Sequence, residues 1–404
     1  MKVAIIGQGY VGLNIAIAAA SNGHKVIGLD KDAELVKNLT LGINHVPGIT
    51  KEVIQSLIQN NYYLPTTDNT KITDSEVIVI AVPTPLDSAR KPDLKFLESA
   101  SKIISEHVSV NTLIVNESTS YPGTLRKIIM PIIERNNDKH LLFAAAPERV
   151  DPGNIEWNLS NTPRVVAGIG VEATRKVTEF YSSFCKFIHV APNVEVAEAS
   201  KLFENTFRQV NIALANEFSL IASALNFSTH EAIAAAATKS FGFMAFYPSI
   251  GVGGHCIPVD PSYLSYAAEK AGVKTKFIDI ANQINLNMVS HVIDRIKLEI
   301  NNSLKGLRIQ IAGVSYKSNI SDLRESPALN LISELSKTGA RVQWFDPLVN
   351  LDLGGRSSSL ETDIDLGLIV TPHDVIDFSV WKRAKVKVLD LSADSKNYGW
   401  PKFI

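Results

Sequence analysis

Residues 251–261 read Gly-Val-Gly-Gly-His-Cys-Ile-Pro-Val-Asp-Pro, which sets Cys256, one of only two cysteines, among glycines and prolines. Such a stretch predicts a loop, in which glycines let a substrate approach the main chain closely and prolines hold the thiol in a fixed place. A thiolate held there can attack an aldehyde to give a thiohemiacetal. Loss of hydride from that adduct gives a thioester, which water cleaves to an acid. The hydride needs an acceptor, and the other end of the chain offers a seat for one. Gly7-Gln8-Gly9-Tyr10-Val11-Gly12 follows an apolar run at 3–6 and opens an alanine-rich helical run. In that setting Gly7 permits a tight turn, Gly9 lets the backbone reach a pyrophosphate, and Gly12 lets the helix pack closely. Tyr10 and Val11 stand at the helix end that faces the negative charge. Asp30 ends a second apolar run at 25–29, where an acid accepts the adenine-ribose hydroxyls and disfavours a 2′-phosphate. NAD, rather than NADP, is the expected cofactor.

Lys201 and Asn205 are four apart in a stretch, 194–225, that lacks Gly and Pro and carries apolar residues at helical spacing. On one face of a long helix their ammonium and amide groups can converge on a single oxyanion. The second cysteine, Cys185, has no glycine turn around it and reads as a buried structural thiol. His255 reads equally as a base or as a packing or substrate-binding residue. Two cysteines and scattered histidines lack metal-ligand spacing, so no metal is expected.

The elements that must position these groups follow from the apolar pattern. Runs at 3–6, 25–29, 77–82, 113–115, 141–145 and 165–167 alternate with helical patterns and predict a parallel α/β sheet covered on both faces. A break at 226–228, a Gly- and Pro-rich loop at 241–261 and a helix at 277–300 follow. The α/β rhythm then returns at 307–312, 341–345, 368–370 and 386–389. The expected architecture is two Rossmann-like α/β domains joined by a long central helix and a helical middle domain, with divisions at 1–192, 193–300 and 301–404.

Composition sets outer limits. With 404 residues, 45% of them apolar and 20% charged, the chain can bury a sizeable core in two or three units. A net charge of −1 gives no electrostatic footprint for nucleic acid or an anionic membrane surface. The apolar run at the start is far shorter than a membrane span and has no cleavage signal behind it. A soluble, cytoplasmic protein is expected.

Further stretches recur in one family. They are Val82-Pro83-Thr84-Pro85, Glu117-Ser118-Thr119 with Pro122-Gly123-Thr124, and the segment that runs from Ala146 through Glu148, Arg149 and Val150 to Gly153. Glu198 to Arg208, Gly313 to Lys317 and Asp322 to Ala328 complete the set. With the opening fingerprint and the cysteine loop, these resemble, in order and over nearly the whole chain, the UDP-glucose/GDP-mannose 6-dehydrogenase family of nucleotide-sugar dehydrogenases. The resemblance implies that Cys256 is the nucleophile, Lys201 and Asn205 the oxyanion stabilisers, Asp260 the partner of the hydrolytic water, and Thr119 the residue that orients a water. Glu148 is implied as an acid of the substrate loop. Val82, Pro83, Thr84, Ser118, Thr119 and Arg324 are implied at the cofactor. Glu148, Arg149, Val150, Lys201, Asn205, Arg208, Tyr247, Gly253 and Lys317 are implied at the UDP-sugar.

The wording from Gly253 to Asp260 looks most like the branch acting on UDP-GlcNAc or UDP-ManNAc. The implied reaction is a four-electron oxidation of a CH2OH group with two NAD per sugar, by a homodimer joined through the central helix. UDP-glucose oxidation, a two-electron hydroxyacid-type dehydrogenase and a non-catalytic NAD-binding regulator remain the alternatives.

Overall fold

The computed structural model describes residues 1–404 apart from 47, 136–137, 152–153, 155, 301–302 and 351–353. Their contacts divide into two compact units, Met1–Glu204 with Ser262–Gly272, and Asn205–Pro261 with Val273–Ile404.

The first unit is built on β1 (Lys2–Ile6), β2 (Lys25–Leu29), β3 (Tyr63–Thr66), β4 (Val77–Ile80), β5 (Leu113–Asn116), β6 (Leu142–Ala145), β7 (Arg164–Gly168) and β8 (Ile188–Val190). They form one sheet in the order β3-β2-β1-β4-β5-β6-β7-β8. Alternate residues of each central strand go to opposite faces. Val3, Ile5, Val77, Val79 and Val115 join one buried cluster, while Ala4, Ile6, Ile78, Ile80 and Ile114 join the other. That two-sided burial is why these strands are apolar throughout.

Winding reverses between β1 and β4, and the carboxyl ends there are the expected ligand crevice of a doubly wound sheet. One pairing departs from the parallel expectation, since β7 runs antiparallel to β6. The connection between them contains Pro147 and Pro163 and no helix among its described residues, so no crossover returns the chain to a parallel start. Two short edge strands, β3 with its Pro65 and the three-residue β8, lie beyond the predicted runs because edge strands need no continuous apolar sequence.

The second unit carries β9 (Arg308–Ala312), β10 (Arg341–Phe345), β11 (Leu366–Ile369) and β12 (Val388–Asp390), all parallel in the order β10-β9-β11-β12. Met288, Val292 and Ile296 of helix Lys276–Glu299 and Leu331 of helix Pro327–Lys337 pack with Ile309 and Ile311 in one cluster. The long helix spans Val194–Leu225, as the spacing predicts.

Candidate active site

At the fingerprint the geometry suits a dinucleotide. Gly7 has φ +93°, and a Cβ there would lie 2.4 Å from the Ala81 carbonyl oxygen; one on Gly12 would lie 1.8 Å from the Gly7 oxygen. Both positions therefore need glycine. A Cβ on Gly9 would meet nothing within 4 Å, which leaves the backbone open to a ligand. Gly9 starts helix Tyr10–Ser21 without a side-chain cap, so the first helical amides point where a pyrophosphate would sit. The Asp30 carboxylate accepts the Gln8 amide at 2.7 Å and the Asp32 amide at 3.0 Å. Lys31 lies over the Phe96 ring at 4.6 Å. These residues fit NAD.

Under the fingerprint, Gln8 is fully buried; its Nε2 donates to the Ile5 carbonyl at 2.9 Å and its Oε1 accepts the Tyr63 hydroxyl at 2.7 Å. The segment holding Val82, Pro83 and Thr84 is fixed from two sides. Ser118 Oγ accepts the Val82 amide and donates to the Val82 carbonyl, both at 2.9 Å, and the Tyr263 hydroxyl donates to the Thr84 carbonyl at 3.0 Å.

Thr119 and Lys201 meet in the first unit, where Lys201 Nζ donates to Thr119 Oγ1 at 2.6 Å. One turn earlier on the same helix, Glu198 is buried and accepts the amides of Gly123 at 2.6 Å and Leu125 at 2.9 Å. Burial pushes its carboxyl up to about 7, against the pull of those amides.

Both Glu148 carboxylate oxygens are taken by protein partners. Its Oε1 accepts the amides of Arg149 and Val150, at 2.7 and 2.8 Å, and its Oε2 pairs with Arg164 at 2.8 Å. Arg164 also pairs with Glu117, which accepts the Tyr181 hydroxyl. Burial pushes Glu117 up to about 7 despite Arg164, whereas Arg164 and the loop amides outweigh burial and hold Glu148 below its usual range. Arg149 is held by Glu204 at 2.7 Å and by the Pro163 carbonyl at 2.8 Å. Tyr10, Val11, Glu148 and Val150 come together around one cavity of about 790 Å³, and Cys185 lies in its wall. Burial pushes the Cys185 thiol up to about 12, as suits a structural residue. Pro152 and Gly153 lie outside the described residues.

In the second unit Cys256 is half-buried, and its carbonyl accepts the amides of Val259 and Asp260, at 3.1 and 2.8 Å. It thus forms the turn from which helix Asp260–Lys270 starts. Asp260 is fully buried and accepts Asn205 Nδ2 at 2.6 Å. The space beside Gly253 and Gly254 is filled by protein and not left open to a substrate, contrary to the expectation from the sequence: a Cβ on Gly253 would lie 2.7 Å from the Tyr316 Cβ and 2.9 Å from Pro327 Cδ, because Tyr316 and Pro327 pack against the loop. The Gly254 amide donates to the Arg324 carbonyl at 3.0 Å. The Arg324 guanidinium is engaged by Asp322 at 2.5 Å; although burial pulls it down, Asp322, Tyr316 and Cys256 hold it above its usual value. Lys317 is half-buried on the loop after β9, Arg208 is exposed on the long helix, and Tyr247 stacks on His230 at 5.3 Å.

Sequence reasoning gave no role to Arg164, Gln8 or Glu198. The signals were a charged residue inside an apolar strand, a polar residue between fingerprint glycines, and a carboxylate one helical turn ahead of Lys201.

A glycine fingerprint, an acid at the end of β2 and a winding reversal beside β1 make the first unit the cofactor half of an NAD-dependent oxidoreductase. The chain belongs to the UDP-glucose/GDP-mannose dehydrogenase family, whose NAD-binding, central and UDP-binding domain profiles match residues 1–185, 195–287 and 310–393. It is an NAD-dependent nucleotide-sugar dehydrogenase. It is 34% identical over 399 residues to the UDP-N-acetyl-D-mannosamine dehydrogenase of Pyrococcus horikoshii, covering 95% of this chain and 92% of that one. To the UDP-N-acetyl-D-glucosamine 6-dehydrogenase of Salmonella typhi it is 32% identical over 365 residues, covering 87% and 83%. The solved UDP-D-ManNAc dehydrogenase of Pyrococcus horikoshii superposes with a TM-score of 0.88 at 32% identity, covering 99% of this chain and 98% of that one. No helix among the described residues is long and apolar enough to cross a membrane.

Proposed function

We propose that this chain oxidises the C6 hydroxymethyl of a UDP-N-acetylhexosamine, UDP-ManNAc or UDP-GlcNAc, to the carboxylate, using two NAD per sugar. The observation that carries the reading is the seat of Cys256, a half-buried cysteine whose carbonyl takes the Val259 and Asp260 amides at the start of a helix whose first residue, Asp260, is held by Asn205. A helix start offers partial positive charge to a thiolate. The names of the relatives support the N-acetylated sugar.

NAD, when bound, would accept a hydride in each of the two oxidations, and the hydroxyl proton of the alcohol passes to a water that Thr119 orients. Cys256 attacks the aldehyde carbon and retains it as a thiohemiacetal, then as a thioester. Lys201 and Asn205 donate to the oxyanion at each addition. Asp260 takes the proton of the hydrolytic water, and Thr119, held by Lys201, orients it. Glu148 acts through its loop, holding the Arg149 and Val150 amides in place for the substrate. Gly7, Gly9, Tyr10, Val11, Gly12, Asp30, the 82–84 segment, Ser118 and Arg324 hold the cofactor; Arg208, Tyr247 and Lys317 serve the UDP-sugar.

The enzyme works in the cytoplasm as a homodimer. Phe203, Phe207, Leu214, Ile221 and Leu225 form an exposed apolar stripe on the long helix, which supports pairing through that helix. NADH released per sugar consumed, with UDP-GlcNAc, UDP-ManNAc, UDP-glucose and GDP-mannose, tests the reading. Two NADH with an N-acetylated sugar, and loss of acid formation in C256A, are expected. One NADH per sugar, or a preference for UDP-glucose, would overturn it.

A further inference from the structure

Thr119 lies on a segment, 117–123, that has no helix or strand between the end of β5 at Asn116 and the helical turn Leu125–Ile129. Something must hold it. At one end, Asn116 Nδ2 donates to the Ser118 carbonyl at 3.2 Å and to Ser120 Oγ at 3.1 Å. At the other, the turn Leu125–Ile129 runs into helix Met130–Glu134 without a side-chain cap of its own. The amides at such a start need an acceptor when buried. Glu198 supplies it from the long helix: its two oxygens take the Gly123 and Leu125 amides at 2.6 and 2.9 Å, and Oε1 also takes the Ser120 hydroxyl at 3.3 Å.

Glu198 and Lys201 are three residues apart, on one helical face. The carboxylate thus grips the segment on both sides of residues 121–122, and the ammonium grips Thr119 itself at 2.6 Å. Three donors thus meet on this one side chain, whereas a local cap satisfies only one or two amides.

We propose that Glu198 is a positioning residue for the oxidation: it sets the Thr119 hydroxyl against Lys201 by holding the 120–125 backbone to the long helix. The inference rests on the role assigned above to Thr119 and Lys201. A glutamine at this position keeps the size but turns an NH2 toward one of the two amides. Neither donor then has a partner on that side, and the segment drifts from the helix.

The test is a double-mutant cycle of E198Q and T119A, with amide hydrogen exchange on the substrate-free protein. E198Q is expected to lower kcat ten- to a hundredfold with KM for sugar and NAD changed less than threefold. In the T119A background, E198Q should lower kcat by less than threefold more. Amides at 119–125 should exchange at least tenfold faster in E198Q while the β1 and β4 amides stay protected. A kcat loss that persists undiminished in T119A, or unchanged exchange at 119–125, would overturn the proposal. S120A removes only one of the three donors and serves where E198Q does not fold. Its two- to fivefold loss of kcat should likewise vanish in T119A, and persistence would count against the proposal. Absence of turnover in the unmutated enzyme would refute the functional reading instead, and exchange alone would then decide whether Glu198 holds the segment.

Discussion

Arg164 is a demanding residue to remove, and the asymmetry with its partners can be worked out in advance. Its side chain is 3% exposed, and it pairs with Glu117 and Glu148, whose side chains are 0% and 10% exposed. Its guanidinium also lies 4.8 Å from the Tyr181 ring centroid. R164M keeps the volume and leaves two buried carboxyls without a counter-charge. Breaking a buried ion pair from one side costs about 3–5 kcal/mol. At about 2–4 °C per kcal/mol for a unit of this size, the transition should fall by roughly 6–20 °C.

Glu117 behaves otherwise. Burial raises its carboxyl from 4.5 to about 7, so ionisation opposes folding. Stability from this group is full below about pH 4.5 and is lost as pH rises through about 7, on the order of 3 kcal/mol in all. E117Q removes that charge, retains an acceptor for Tyr181, and should cost only about 1 kcal/mol at pH 8 while flattening the slope between pH 4.5 and 7. Calorimetry of both variants across pH 5–8 measures this. Comparable losses for E117Q and R164M at pH 8, or an R164M transition within about 2 °C of the parent, would refute the reasoning.

Three other outcomes are expected. G12A puts a Cβ 1.8 Å from the Gly7 oxygen, so calorimetric titration should show NAD affinity at least about tenfold weaker, since the fingerprint turn cannot close. Y63F strands the buried Gln8 Oε1 and should cost about 1–3 kcal/mol in denaturant unfolding. Burial pulls His230 down to about 4, so its ring proton shifts in NMR should titrate near pH 4. Because this folded-state value is depressed, stability from His230 is full above its usual 6.5 and is lost as pH falls toward 4; H230F should remove that fall.

Most of what local sequence controls was legible before any coordinates. The fingerprint glycines, Asp30, the central strands and both ends of the helix Val194–Leu225 depend on turn sterics and apolar periodicity, which act between near neighbours. The cysteine loop was legible as a loop for the same reason, because glycine and proline spacing fixes a loop locally. Edge strands β3 and β8 escaped, since a half-exposed strand carries little pattern. The antiparallel β7 escaped because pairing direction is set by the path of an irregular connection.

Tertiary structure alone decided which polar groups share a burial site. Nothing in the spacing of Glu117, Glu148 and Arg164 says that one guanidinium answers both carboxyls, or that Glu148 turns back to its own loop. Nor does it say that Gly253 is filled by Tyr316. Residues far apart in sequence meet only when the sheets close, and there the cost of leaving a buried charge or amide without a partner selects the pairings.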